Sequence, residues 1–395
     1  MSRAEQGAET LRSQAVQAPV LFRLAERVIR AADREHPADL VLRQTLKAER
    51  GLGPAVAARV TRAVFAFYRW RGWLDQAARF SEQLERALRL ADRFARDPGS
   101  FSDAELSARS VPAWVREEME IPGTWARALQ AEPRLWLRAR PGQGGVLAKK
   151  LGDCRVFGDG PWSATLEYSG GRDLFRTAEF HAGEFELQDI SSQAVGLMCE
   201  AQAGETWWDA CAGEGGKTLH LSALMGNRGL IWASDRAAWR LRRLARRAAR
   251  ARVFNYRSVV WNGGPRLPTK TKFDGVLVDT PCSGIGTWQR NPHARWTTTP
   301  RDLEELSALQ LQLLVHSAAA VKPDGKLLYA VCTLARSETA KVINRFREQR
   351  PEFEPLGLRN PLAPQAPAAA EFFLLPQDFG GNGMFIAAWR RRTAG

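Results

Sequence analysis

The sequence contains no apolar run that approaches the ~20 residues needed to cross the hydrocarbon core of a bilayer. Its first residues, Met1 to Gly7, do not form the apolar segment of a secretory signal peptide. These absences predict a protein that has no membrane partner and works in the cytoplasm.

Cysteine and histidine are both scarce, with five of each in 395 residues. The cysteines are odd in number, widely spaced and form no CxxC pair, which excludes a disulfide framework and a zinc cluster. The histidines have no metal-ligand spacing either. We therefore expect reduced thiols and no bound metal. The five cysteines are Cys154 and Cys199, which we expect to be structural, and Cys211, Cys282 and Cys332.

Positive charge, in contrast, is abundant. The chain has 57 lysines and arginines against 43 aspartates and glutamates, a net charge of +14. Such a balance predicts a polyanionic partner, with nucleic acid as the first candidate. The hydrophobic content of 45% is that of a globular protein, and the length suits two or three domains.

Three patterns divide the chain. Residues 1–125 show helical periodicity and predict an all-α bundle, which either helps to hold RNA or is simply a folded bundle. Residues 126–187 contain short strand-like pieces and predict a small α+β, RRM-like domain. Residues 188–395 alternate strand and helix, which predicts an α/β domain with a doubly wound, mostly parallel sheet. The predicted fold class is therefore multidomain, with a Rossmann-like domain at the C-terminal end.

Two basic segments of the α/β region are candidate contacts for a nucleic acid. Arg236 to Arg252 carries eight arginines in a predicted helix, which either contacts phosphates or is simply a solvated outer face. Gln289 to Trp296 follows the Cys282 loop closely, and we expect it to contact the substrate.

A glycine-containing loop, Asp209 to Thr218, runs from a predicted strand into a predicted helix. It does not complete a Walker A loop, because Cys211 occupies a position that needs glycine. It does not complete a dinucleotide fingerprint either, because Thr218 stands where the third glycine belongs. The glycines still allow the backbone to approach a ligand closely.

Polar side chains follow the next strands. Asp235 ends the second predicted strand, Asn262 follows the third and Asp279 ends the fourth. Any one of them could be a helix cap. In series along one sheet edge, they can bind ribose hydroxyls and an adenine edge, which favours an adenosine cofactor without a triphosphate, S-adenosylmethionine.

Cys282 and Cys332 each follow an apolar run that predicts a buried strand, residues 275–278 and 326–329. A free cysteine is often no more than a small core residue. Two thiols on loops where an α/β sheet binds its ligand instead favour covalent chemistry on an electrophilic ring. The residues alone do not indicate which thiol attacks.

These motifs together resemble the Sun/Fmu (Nop/Sun) family of RNA cytosine-C5 methyltransferases. The resemblance covers roughly residues 133–391, and the helical region before it is similar to the NusB-like domain of bacterial members that act on small-subunit rRNA. It is carried by Gln188 to Gln193, Asp209 to Lys217, Asp279 to Gly284, and Tyr329 to Cys332 followed by Glu338.

The resemblance implies a class I methyltransferase domain that holds S-adenosylmethionine. It implies that Cys332 is the nucleophile and that Cys282 helps to release the product. Asp279 can stabilise the adduct by a hydrogen bond, and the charge of Lys217 can lower a nearby thiol pKa. The implied cofactor-binding residues are Cys211, Ala212, Gly213, Glu214, Gly215, Gly216, Lys217, Asp235, Asn262 and Asp279.

Four residues depart from the family pattern: Gly213, Glu214, Asn262 and Thr339. The expected function is methylation of carbon 5 of a cytosine in small-subunit rRNA by a monomeric enzyme. Three alternatives stay open: the same chemistry on tRNA, a non-catalytic RNA-binding assembly factor, and a DNA cytosine methyltransferase that uses Cys282 as its nucleophile.

Overall fold

The computed structural model describes residues 19–393. Within them, the chain folds as two compact units, residues 19–132 with Trp288–Thr299, and residues 133–287 with 300–393. The domain boundaries after residues 125 and 187 remain predictions. No helix in the described part of the chain has both the length and the apolar character to span a bilayer.

The elements are numbered in chain order. The helices are α1 (described over 19–31), α2 (Ala38–Ala48), α3 (Pro54–Arg69), α4 (Phe80–Arg96), α5 (Asp103–Arg109), α6 (Gly123–Gln130), α7 (Gly144–Leu151), α8 (Ala178–His181), α9 (Ile190–Met198), α10 (Gly216–Leu224), α11 (Ala238–Ala251), α12 (Ala294–Thr297), α13 (Pro300–Ala318), α14 (Ala340–Gln349) and α15 (Pro376–Phe379). The strands are β1 (Leu135–Ala139), β2 (Cys154–Val156), β3 (Thr165–Tyr168), β4 (Phe185–Leu187), β5 (Thr206–Asp209), β6 (Leu230–Asp235), β7 (Tyr256–Val260), β8 (Phe273–Asp279), β9 (Val321–Val331), β10 (Phe353–Pro355), β11 (Glu371–Leu374) and β12 (Met384–Arg391).

The first unit is the predicted helical bundle. Pro54 marks the start of α3: it occupies the first turn, where the N–H that proline lacks has no partner within the helix. Val60, Val64 and Phe67 recur at helical spacing on α3 and are buried in the bundle core.

A later segment of the chain, Trp288–Thr299, completes this unit. Arg295 on α12 is fully buried, and its guanidinium donates to four backbone carbonyls. The acceptors are Arg69 at 3.3 Å, Ser110 at 2.9 Å, and Leu129 and Trp288 at 3.1 Å each. Trp296 also donates to the carbonyl of Tyr68, at 2.7 Å. The expected substrate contact is therefore wrong for Arg295, whose bonds lie inside the bundle.

The second unit contains two sheets. The smaller is antiparallel, with order β2-β3-β1-β4, and is flanked by α7 and α8. The larger has the order β10-β12-β9-β8-β5-β6-β7, with β11 paired to β12. The run from β9 to β7 is parallel and β12 is antiparallel to β9, so the prediction of a Rossmann-like, mostly parallel sheet is confirmed.

Adjacent tryptophans on β5 bury opposite faces of the large sheet. Trp207 belongs to one core cluster and Trp208 to another, because successive strand residues point to opposite sides. Gly275 on the neighbouring strand makes room for Trp207, since a Cβ there would lie 2.3 Å from its ring. In the sheet, β5 lies between β6 on one side and β8 on the other, so the strand order reverses at β5. The carboxyl end of β5 is therefore the switch point where such sheets bind ligands.

Candidate functional site

The glycine loop lies at this switch point. Gly213 and Gly215 adopt left-handed backbone conformations, with φ of 56° and 88°. A Cβ on Gly215 would also lie 2.6 Å from Leu244 of α11. The Asp235 carboxylate, at the end of β6, accepts a hydrogen bond from the Gly213 N–H at 3.1 Å. This hydrogen bond ties the loop to the carboxyl edge of the sheet.

A small cavity opens beside this loop. It brings together Cys211, Asp235 and Asn262 with Pro281 of the Cys282 loop and the ring of Trp261. The Asn262 side-chain oxygen accepts from the Gly264 N–H at 3.0 Å, which leaves its NH₂ group to donate to a ligand. A carboxylate, an amide donor and an apolar wall are the groups that an adenosine requires.

Glu214 is directed elsewhere. Its carboxylate pairs with Arg243 of α11 at 2.5 Å, and its backbone carbonyl accepts from Arg247 at 3.0 Å. Where the family usually has proline, this chain therefore has an ion pair that fixes the loop to α11. Thr339, another departure, is buried and donates to the Ala335 carbonyl at 2.8 Å.

Asp209 is a site residue that the sequence did not single out. One carboxylate oxygen accepts from the Thr218 hydroxyl at 2.6 Å. The other is buried and has no hydrogen-bond partner among the described residues. An unpartnered buried carboxylate oxygen fits a cationic or N–H group of a ligand. Its position at the end of β5, first in the series with Asp235 and Asp279, was the available signal.

Burial raises the pKa of Asp209 to about 7, a direction that nearby Asp279 reinforces and the Thr218 hydroxyl opposes. The folded pKa lies above the usual value of 3.8, so the stability associated with the protonated form is lost as pH rises through about 7. We therefore expect the stability of Asp209→Asn relative to the wild type to increase by roughly 1–2 kcal/mol between pH 5.5 and 8. Urea unfolding without ligand measures this difference.

The control for this prediction is Asp159→Asn, a change at an exposed aspartate. A difference between Asp209→Asn and the wild type that stays constant from pH 5.5 to 8 would contradict the assignment of a buried carboxyl at this position.

Lys217 and Asp279 form an ion pair between α10 and the end of β8, with 2.6 Å from Nζ to Oδ2. Burial alone lowers the pKa of Lys217, but Asp279, Asp209 and Cys332 oppose it and the net pKa is raised. Lys217 is therefore an ammonium whose surroundings include both carboxylates and the Cys332 thiol.

Cys282 and Cys332 lie beside each other, with 3.1 Å between their sulfur atoms. The hydrogen bond with Cys332 raises the pKa of Cys282 well above its ordinary value, and burial and the charge of Glu338 raise it further. Either thiol can donate the hydrogen bond between the two sulfur atoms. The attacking role of Cys332 therefore stays what the family resemblance implies, and the geometry shows only that the two thiols lie together.

A buried hydrogen-bond network holds the two cysteine loops. Glu338 is fully buried; its carboxylate accepts from the Ser283 N–H at 2.8 Å, from the Ser283 hydroxyl, and from the Gln310 amide at 2.8 Å. Gln310 also donates to the Pro281 carbonyl at 2.9 Å. Tyr329 donates to the Glu338 carbonyl at 2.7 Å and lies 3.0 Å from the Gln310 side-chain oxygen. The network connects α13, β9 and both loops.

The structure thus brings most of the predicted residues to one edge of the sheet. Sequence reasoning noted Ser283 and Glu338 only as parts of motifs and missed Gln310. A polar glutamine within the apolar stripe of α13 was the only signal for Gln310, and many core glutamines give the same pattern.

Comparison with known proteins agrees with this geometry. Residues 197–390 match the family described as 16S rRNA methyltransferase RsmB/F. A probable ribosomal RNA small subunit methyltransferase B from Synechocystis is 37% identical over 216 residues, which cover 53% of this chain and 48% of that protein. A ribosomal RNA small subunit methyltransferase F from Escherichia coli is 33% identical over 230 residues, 56% of this chain and 48% of that protein. The chain spans about half the length of these curated relatives.

Solved structures match more of the chain. The crystal structure of PH0851 superimposes with a TM-score of 0.77 at 21% identity and covers 94% of this chain and 99% of that one, a likeness of fold. A methyltransferase homologue from Pyrococcus horikoshii superimposes with a TM-score of 0.55 at 26% identity, over 68% of this chain and 90% of that one. The likeness of the helical unit to a NusB-like domain stays a prediction. The matched sequence, the sheet order and the motifs at its carboxyl edge agree, and residues 197–390 of this chain are similar to the RsmB/F family of 16S rRNA methyltransferases.

Proposed function

We propose that the protein transfers a methyl group from S-adenosylmethionine to carbon 5 of a cytosine in RNA. The observation that carries this proposal is the pair of thiols, 3.1 Å apart on the loops after β8 and β9. Carbon 5 of cytosine is a poor nucleophile, and addition of a thiolate at carbon 6 gives it enamine-like reactivity. A second thiol next to the first suits the reversal of that addition.

Residues that line the cavity beside the glycine loop, together with the neighbouring Asp209, fit the cofactor. Asp235 would bind the ribose hydroxyls, and the Asn262 NH₂ group would donate to the adenine edge. The unpartnered oxygen of Asp209 would accept a hydrogen bond from the amino group of the methionine part of the cofactor. The loop from Cys211 to Lys217 would line the remainder. When bound, S-adenosylmethionine supplies an electrophilic methyl group on a sulfonium.

Cys332 and Asp279 act on the base. The Cys332 thiolate forms a bond to carbon 6, aided by the positive charge of the Lys217 ammonium. Asp279, held at the end of β8 by Lys217, is placed to bind the ring nitrogen or the amino group of cytosine and so to stabilise the adduct.

Cys282 acts in the second half of the reaction. After methylation, the carbon 5 proton must leave and the bond between carbon 6 and sulfur must break, which restores the aromatic ring and the Cys332 thiolate. Cys282, whose sulfur lies 3.1 Å from that of Cys332, acts as the base: its thiolate accepts the carbon 5 proton, and the electron pair of the C–H bond re-forms the double bond as the Cys332 sulfur leaves carbon 6. The Glu338 network fixes the loop that carries it.

Small-subunit rRNA is the proposed substrate, because the similar proteins from Synechocystis and Escherichia coli are named as ribosomal RNA small subunit methyltransferases. The target base must leave its stack to reach the thiols, which costs a few kcal/mol and favours looped or partly unfolded RNA. We place this reaction in the cytoplasm, where thiols remain reduced. The alternatives are a tRNA substrate and a non-catalytic assembly factor.

Bisulfite sequencing of total rRNA and tRNA, with and without the gene, tests this proposal. We expect one cytosine of the small-subunit rRNA to lose its protection when the gene is deleted and to regain it when the wild-type gene is restored. Loss at a tRNA position would keep the chemistry and reject the substrate. No change at any cytosine would favour the assembly factor and contradict the proposed enzyme.

A further inference from the structure

The eight arginines between Arg236 and Arg252 fall into two sets of four. One set is paired with acids: Arg240 lies 3.8 Å from Asp235, Arg243 lies 2.5 Å from Glu214, and Arg247 lies 2.8 Å from Glu186, which Arg250 also contacts. These pairs fix α11 to the glycine loop and to the small antiparallel sheet. They are structural contacts within the unit.

The other set is exposed and has no acidic partner among residues 19–393. It comprises Arg236, Arg242, Arg246 and Arg252. Arg242 and Arg246 are four residues apart, so their side chains lie on one face of α11, roughly 6 Å apart along its axis. The buried positions Leu241, Leu244 and Ala248 lie on the opposite side of the helix. The repulsion between these positive charges is not offset within the described protein.

Trp239 belongs to the same outer face and is 45% exposed. The guanidiniums of Arg240 and Arg243 lie over its ring, 5.3 and 4.8 Å from the centroid. These contacts hold the indole in place on the surface. Beside unpaired arginines, a fixed and exposed ring is an arrangement that stacks a nucleobase while neighbouring cations bind phosphates.

From this arrangement we infer that the outer face of α11, formed by Trp239, Arg242 and Arg246, is a binding surface for the backbone and one base of the RNA substrate. The inference rests on the proposed function for the nature of the polyanion and adds a place where it binds. A membrane surface fits less well, because Trp239 is the single large apolar side chain exposed on this helix.

The test is the salt dependence of binding to a short single-stranded RNA, measured by fluorescence anisotropy on the full chain. For a single strand, the slope of log K against log salt becomes shallower by about 0.7 for each phosphate that the protein no longer neutralises. We expect R242Q/R246Q to reduce that slope by about 1.4 and to weaken binding roughly tenfold at low salt. Trp239→Ala is expected to weaken binding a few-fold and to leave the slope unchanged, because stacking releases no counterions.

Two further variants give this test its controls. R155Q/R301Q removes two exposed arginines that are paired with Glu167 and Glu305, so we expect it to retain the wild-type slope. R242K/R246K preserves both charges and should retain most of the slope as well. The affinity for S-adenosylhomocysteine should not change in any of these variants, which shows that the cofactor site is intact.

Equal slopes for R242Q/R246Q and R155Q/R301Q would overturn the inference. So would an R242Q/R246Q protein that binds RNA normally but no longer binds phosphatidylserine vesicles, since the face would then serve a membrane. The wild-type methylation assay separates this inference from the proposed function: RNA binding that depends on Arg242 and Arg246, without any methyl transfer, would reject the enzyme and retain the surface.

Discussion

Cys332→Ala is expected to abolish both methyl transfer and the covalent complex with RNA, whereas Cys282→Ala should abolish turnover and let the covalent complex accumulate. The loss of turnover should be about 10⁴-fold or more, the scale seen when an enzyme loses its nucleophile. The two results differ because, in the proposed mechanism, Cys332 attacks carbon 6 and Cys282, with its sulfur 3.1 Å away, serves the release. A denaturing gel of each variant with labelled RNA distinguishes them.

Cys154→Ala is the matched control, since Cys154 is partly exposed on the small sheet and far in sequence from both loops. It should retain wild-type turnover and adduct formation. The reverse outcome, an adduct that is lost in Cys282→Ala and retained in Cys332→Ala, would exchange the two roles and favour the order of thiols found in DNA cytosine methyltransferases.

Glu338→Ala is expected to be the most damaging change outside the thiols. It removes the acceptor of the Ser283 N–H and of one N–H of the Gln310 amide, at a cost of about 1–3 kcal/mol for each unmade bond, whereas the Ser283 hydroxyl keeps the Thr333 hydroxyl at 3.0 Å as a partner. We expect a loss of roughly 3–5 kcal/mol in the free energy of unfolding. Misplacement of the Cys282 loop should also slow adduct formation about 100-fold.

The measurements are urea unfolding and the rate of adduct formation at a temperature where the variant is fully folded. Glu348→Ala, at an exposed glutamate on α14, is the control and should change stability by less than about 0.5 kcal/mol. Affinity for S-adenosylhomocysteine should be unchanged in Glu338→Ala, because Glu338 does not line the cofactor cavity. Adduct formation at the wild-type rate would contradict a positioning role for this residue.

Local pattern was sufficient for the elements that carry the site. The apolar run before Asp279 is β8 as predicted, and Asp235 ends β6 as predicted. Both results follow from physics that acts within a few residues: buried parallel strands are continuously apolar, and their ends are marked by polar or turn-forming residues. The glycine loop was equally readable, since Gly213 and Gly215 have the left-handed conformations that glycine allows.

Contacts between distant parts of the chain were not readable in this way. Glu338 is 55 residues from Ser283, and Arg295 is 226 residues from Arg69. Neither residue differs in its local sequence from an exposed glutamate or arginine. The ion pair between Glu214 and Arg243 on α11 could not be predicted for the same reason. The sequence showed that Glu214 replaces the usual proline of the family but did not explain why.

The place of Arg295 in the helical unit has a consequence for the order of events during synthesis. The Arg295 guanidinium donates to the backbone carbonyls of Arg69, Ser110 and Leu129. These three residues leave the ribosome well before Arg295. Residues 133–287 separate the first stretch of this unit from Trp288, a delay of roughly 10–30 s at ordinary rates of translation. The helical unit therefore cannot reach its final packing as it emerges. The residues of strands β1 to β8 have already been synthesised when its last segment, Trp288–Thr299, arrives.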